Sequence, residues 1–277
     1  MNDEPPQIVK TWKWTLTSVL LFWLGYLGVT FTVGFGTSLV IHSEVWQITA
    51  WGLIATVGLI FLSRLMSRRH ASTEVAPRMS DECAIRPSSL NRFFFGFALG
   101  MFSFAVHVAI ISVLAGPIRF EWVPGIGAMA VSIYFVRFVA TSCMEEVGFR
   151  GYALQRLMER MGPWPAVVIT SVAFGLSHLS YGYDLRSIAL GVIPGGLLWG
   201  MSAIATRGLA VPIGLHAAWN FANWTAGGRS ETGLLTMIVE DDALELTQTV
   251  GVISYVSIFG ALSVVFWLVQ RNKSGAG

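Results

Sequence analysis

Thr141-Ser142-Cys143-Met144-Glu145-Glu146-Val147-Gly148-Phe149-Arg150-Gly151 closes a long apolar run that is otherwise nearly free of charge. Placed inside a membrane, an ionisable side chain costs roughly 3 kcal/mol or more unless it is paired or faces a polar cavity. Two adjacent carboxylates therefore mark either the point where a helix leaves the lipid or a site that uses them. On a helix, neighbouring side chains point about 100° apart, so the two cannot face one target equally. Glu146 and Arg150 lie four residues apart with the acid first, the favourable order for an ion pair. Glu145 has no basic residue three or four positions away. It is the freer carboxylate and the candidate general base.

The surrounding composition sets the class. Of 277 residues, 54% are hydrophobic and 12% charged. Soluble domains carry about 25% charge, so the chain is expected to be an all-α, polytopic membrane protein. Eleven Trp and eighteen Phe suit packed helices with aromatic ends. A formal charge of +2 is too small to indicate a nucleic-acid partner. Cys83 lies in a basic loop and Cys143 in an apolar span, which gives neither a metal framework nor a disulfide pairing. The first apolar run is longer than a signal-peptide core and is read as a retained span.

Working outward from the carboxylates, the fourth span starts near Pro124. Beyond Arg150, Leu154, Leu157, Met158 and Met161 alternate with polar residues, so an amphipathic helix continues to Gly162-Pro163. Arg137 within this span reads as a structural ion pair or a snorkelling charge in preference to a docking charge for a substrate carboxylate. The fifth span, about Trp164 to Leu179, holds Phe174 and His178. The sixth, about Leu185 to Ala205, is expected to break at Pro194-Gly195-Gly196, freeing backbone groups that need partners. The seventh, about Leu209 to Thr225, holds His216 and Asn220, which share a helical face.

Earlier in the chain, spans at about Trp14 to Val40 and Val45 to Ser63 precede a basic linker, Arg64 to Arg92. The third span, about Phe93 to Ala115, has Gly96 and Gly100 at a spacing that permits close helix packing. His107 within it reads as a hydrogen-bonded interior residue. A turn follows through Pro117, Arg119 and Glu121. After the seventh span come a polar loop, Gly227 to Leu246, and an eighth span, about Thr249 to Val269. Eight spans place both termini on one side. The basic residues gather there, so both termini are expected to be cytosolic. Three regions result: residues 1–123 with three spans and the basic loop, 124–225 with the motifs, and 226–277 with the polar loop and last span.

Glu145 lies seventeen residues before Gly162 and His178 fifteen after Pro163, so an antiparallel hairpin brings them level. Amide hydrolysis needs a deprotonated water and stabilisation of charge on the carbonyl oxygen. Glu145 can take the proton and His178 can orient the water. Asn220 and His216 can donate to the developing oxyanion.

The pieces Glu145-Glu146-Val147-Gly148-Phe149-Arg150-Gly151, Phe174-x-x-x-His178 and His216-x-x-x-Asn220 together resemble the type II CAAX prenyl protease family. This is also called the CAAX protease and bacteriocin-processing, or abortive-infection, family of intramembrane proteases. The resemblance covers roughly residues 125–225. It implies a membrane endopeptidase acting on a membrane-associated protein or peptide, in a polar intramembrane cleft. Glu145 would activate the water, with Glu146 its supporting neighbour and Arg150 the motif arginine. His178, His216 and Asn220 would complete the site, and Phe174 would support it. The family is commonly labelled metalloprotease, and a zinc ion on His178, His216 and Glu145 is one version. A metal-independent, glutamate-activated water is the other. A proton-coupled transporter, with the Pro194-Gly195-Gly196 break as its gate, is a rival function. A non-catalytic scaffold or immunity protein on the same helices is a second.

Overall fold

The computed structural model describes residues 12–68, 87–228 and 233–275. Eight helices account for most of them: α1 (Trp12–Val40), α2 (Glu44–Arg68), α3 (Pro87–Leu114), α4 (Ala128–Met161), α5 (Pro163–Ser177), α6 (Leu185–Thr206), α7 (Ala210–Thr225) and α8 (Leu244–Gly275). The fold is all-α and polytopic. Six of the eight are long and apolar enough to cross a membrane. The exceptions, α5 and α7, have 15 and 16 residues. At about 1.5 Å per residue they reach roughly 22–24 Å, short of a hydrocarbon core of about 30 Å. These are the two helices that carry the histidine motifs. Of the two, α7 lies inside the bundle with most of its residues buried, whereas α5 buries one face and exposes Val168, Ile169, Val172 and Leu176.

α6 is the central helix. Two thirds of its apolar window, 67%, is buried, against 17–28% for the other spanning helices. α7 packs along α3 at very short range. A Cβ on Gly96 would sit 2.3 Å from the Val211 carbonyl oxygen, and one on Gly214 would sit 2.2 Å from that of Phe93. Gly100 meets Ala218 in the same seam. The expected close packing at Gly96 and Gly100 is therefore present, with Gly214 as its counterpart on α7. The seam fixes the depth of α7, and with it His216 and Asn220.

Several expectations need correction. No break occurs at Pro194-Gly195-Gly196: α6 stays helical through them, after a π-helical turn at Ile188–Val192. A wider turn leaves carbonyls available without ending the helix, and here the Tyr255 hydroxyl donates to the Gly191 carbonyl at 2.5 Å. The basis for a gate at this point is thereby removed. The turn near Arg119 and the loop after Gly227 contain two short strands, β1 (Arg119–Trp122) and β2 (Leu235–Ile238). They pair antiparallel with Phe120 opposite Met237 and Trp122 opposite Leu235. Alternation over four residues is too brief to show among Pro, Gly and charged neighbours. The basic linker begins later than expected, because α2 runs to Arg68 and α3 already starts at Pro87. Arg78, Arg86, His70 and Cys83 lie outside the described residues.

Two polar residues read as structural behave so. Nδ1 of His107 lies 2.8 Å from the Ser254 hydroxyl on α8. Arg137 pairs with Glu44 at 3.9 Å and rests against the Tyr134 and Phe138 rings.

Candidate active site

The two carboxylates stand near the middle of α4, which runs unbroken from Ala128 to Met161. The amphipathic segment that follows is packed into the body, where Tyr152, Ala153, Leu154 and Leu157 are buried, so the carboxylates stand within the bundle rather than at the end of a span. His178 caps the C-terminal end of α5.

Val147–Gly151 adopts a π-helical turn. Gly148 and Gly151 hold a regular helix weakly, and Gly148 also lets α1 approach: a Cβ there would lie 2.5 Å from the Tyr26 ring. The turn shifts the helix face just where Glu146 and Arg150 point inward, a common use of π turns.

Glu146 and Arg150 are fully buried. Nη1 of Arg150 donates to Oε1 of Glu146 at 3.3 Å, and Nη2 donates to the Gly196 carbonyl on α6 at 3.0 Å. The expected ion pair is thus present and also ties α4 to α6. Gly196 is required for that approach, since its Cβ would fall 3.1 Å from Nη2 and 2.9 Å from Ser171. The guanidinium lies 4.5 Å from the centre of the Phe174 ring, a cation–π arrangement.

His216 joins the carboxylates. Nδ1 lies 2.9 Å from Oε1 of Glu146. A carboxylate oxygen accepts, so Nδ1 carries the proton of that bond. Nε2 lies 3.4 Å from Oε2 of Glu145. The two carboxylates diverge on the helix, as expected, yet they meet opposite edges of one imidazole. One ring presents two nitrogens in different directions, and that possibility is invisible in helical geometry alone. The charges then form a chain of Glu145, His216, Glu146 and Arg150. Glu145 is the outer member, its side chain 14% exposed against none for Glu146. It is the carboxylate a small molecule can reach.

Phe174 links the two histidines. Its ring stands edge-on to His178 at 4.7 Å and to His216 at 6.1 Å. Its carbonyl lies 2.9 Å from Nδ1 of His178. A carbonyl only accepts, so this bond holds the proton on Nδ1 and leaves Nε2 as the ring's acceptor. His178 opens a short 3-10 turn, His178–Tyr181. Tyr181 and Tyr183 stand edge-on to its ring at 5.5 and 5.3 Å. Asn220 is buried one turn beyond His216 on the same face of α7.

Sequence reasoning missed three contributors. Trp199 on α6 stacks on the His216 ring, with centroids 3.7 Å apart and planes 11° from parallel. Tyr26 and Tyr181 lie within electrostatic reach of Glu145. They also help line a cleft of about 210 Å³ between α1 and the end of α5, together with Phe31, Phe35 and Trp51. The four-residue spacing of Gly195 and Trp199 was the available signal. A Cβ on Gly195 would lie 2.8 Å from the indole, so the glycine makes room for the ring.

The donor set fits a three-ligand zinc site poorly. Such a site needs three ligands around one point with a fourth position open. Both nitrogens of His216 already face carboxylates. Among the described residues, no three His, Cys, Asp or Glu side chains lie together in a ligand arrangement.

Residues 127–222 match the family model described as type II CAAX prenyl endopeptidase Rce1-like. The matched segment starts at the foot of α4 and ends within α7, so it contains every residue of the charge chain and both histidines. No curated protein matches the chain.

Proposed function

We propose that this CAAX-protease-like membrane protein is an intramembrane endopeptidase, in which Glu145 activates a water that attacks a peptide bond of a membrane-associated protein or peptide. The observation that carries this reading is the His216 imidazole seated between a fully buried Glu146 and a partly exposed Glu145. Arg150 fixes Glu146, Glu146 fixes the ring, and the ring faces the carboxylate that works. A general base must be held within hydrogen-bond reach of its proton, and this relay supplies that restraint.

The reaction divides as follows. Glu145 takes a proton from water as the oxygen attacks the carbonyl carbon. The Nε2 acceptor of His178 orients that water through its second proton. Asn220 donates an amide N–H to the carbonyl oxygen as it gains charge. Glu145 then returns the proton to the departing amine, and the C–N bond breaks. The scheme uses only side chains of this chain.

The test is cleavage of membrane peptides by purified protein in lipid, comparing wild type with Glu145→Gln. The amide keeps the shape and removes the base, so cleavage should fall by about two orders of magnitude or more. Equal cleavage by both proteins would reject Glu145 as the base, and biological activity that survives the substitution without cleavage would favour the scaffold reading instead.

A further inference from the structure

We propose that Trp199 is a positioning residue for the reaction, holding the His216 imidazole in the one plane from which its two nitrogens reach Glu146 and Glu145; this rests on the endopeptidase reading. A histidine ring has a broad torsion about its terminal bond. The bond from Nδ1 to Glu146 anchors one edge of the ring but leaves it able to rock about that contact. Rocking would carry Nε2 off Glu145, because the 3.4 Å separation there is already long for a hydrogen bond. Two further surfaces bound the ring. Phe174 stands edge-on at 6.1 Å, nearly perpendicular, which restricts sliding more than tilting. Trp199 lies flat against the ring at 3.7 Å and 11°, so any tilt meets the indole face.

Trp199 is itself held. It is buried, Phe174 packs edge-on against it at 5.7 Å, and the Arg150 guanidinium lies 5.7 Å from its ring. Its position on α6 is set by the bond from Arg150 to the Gly196 carbonyl, one turn earlier. The indole nitrogen is buried and makes no hydrogen bond. What tryptophan adds is a broader flat face, and that face covers His216.

Two measurements test this in wild-type, Trp199→Phe and Trp199→Leu proteins in lipid nanodiscs. The first is side-chain NMR of histidine-labelled protein, which reads the His216 Nδ1–H bonded to carboxylate and does not depend on activity; His216→Ala identifies the signal. Trp199→Phe should keep the signal and Trp199→Leu should broaden or lose it. The second is cleavage kinetics with Glu145→Gln as the reference. Trp199→Leu should lower kcat about tenfold to a hundredfold with little change in KM, the scale expected for a misplaced catalytic group. Trp199→Phe should restore most of it. In a His216→Ala background, Trp199→Leu should lower the residual rate no further. An unchanged His216 signal in Trp199→Leu would overturn the proposal, as would a loss in kcat that persists undiminished without His216. Absence of wild-type cleavage with a Trp199-dependent signal would instead reject the endopeptidase reading and leave the positioning role standing.

Discussion

Replacing Arg150 with methionine is the sharpest test of the charge chain. The substitution keeps much of the volume and removes the guanidinium bonded to Glu146 through Nη1 and to the Gly196 carbonyl through Nη2. Removing one partner of a buried ion pair costs about 3–5 kcal/mol, because the other charge stays buried without compensation. Two features bear on where in that range the cost falls. His216 still donates to Glu146, which offers partial compensation. The cation–π contact with Phe174 at 4.5 Å is lost, and a desolvated contact of this kind is worth up to about 2 kcal/mol. We therefore expect a loss of about 3–5 kcal/mol in equilibrium unfolding in mixed micelles. The companion Glu146→Gln removes the stranded charge, so the double substitution Glu146→Gln with Arg150→Met should cost clearly less than the sum of the two. Arg150→Lys should be intermediate, because one ammonium cannot reproduce the fork that spans two partners. A loss under about 1 kcal/mol for Arg150→Met, or strict additivity in the double variant, would refute the coupling.

Further outcomes follow from the same geometry. Glu146→Gln should lower activity less than Glu145→Gln and chiefly reduce yield and stability, measured by cleavage rate and by unfolding; equal and complete loss with normal folding in both would reverse their roles. Gly214→Val should destabilise by about 1–3 kcal/mol or more through collision with the Phe93 carbonyl, whereas Gly28→Ala, which meets nothing within 4 Å, should be neutral or stabilising in the same unfolding titration. Because both His216 nitrogens face carboxylates, cleavage should persist after chelation, and stoichiometric zinc with activity restored by zinc alone would place His178 and His216 as ligands. Both termini are expected to be cytosolic, and accessibility tagging that finds the 227–246 loop on the cytosolic side would overturn that expectation.

The expectation of eight helices and of the Glu146–Arg150 pair came directly from residues in local register. Apolar runs, the (i, i+4) spacing and Gly162-Pro163 each act within one helix or one turn. The Gly96 and Gly100 seam was legible for the same reason, although its partner at Gly214 required knowing which helix lies opposite. What could not be read depends on two or more helices at once. The stacking of Trp199 on His216 joins α6 to α7, and the approach of Tyr26 to Gly148 joins α1 to α4. Neither leaves a periodic trace in sequence. The π turns are a different case. Pro194-Gly195-Gly196 suggested a break, yet the helix is regular there and widens just before, at Ile188–Val192. The Tyr255 hydroxyl bonds to a carbonyl of that widened turn, and Arg150 bonds to the Gly196 carbonyl after it.

The contacts of Arg150 also bear on why an ionic site can persist in an apolar bundle. A buried carboxylate is tolerated when it is paired and hydrogen-bonded. From Glu145 the path runs through His216 to Glu146, then to Arg150, and ends on the Gly196 carbonyl of α6. The chain closes on a backbone carbonyl rather than on lipid. Its two ends differ: Gly196 is sealed in the centre of the bundle, while Glu145 retains partial exposure beside Tyr26 and Tyr181. Glu145 and Glu146 are the same residue type one position apart, yet their surroundings differ, the first partly exposed and the second fully buried.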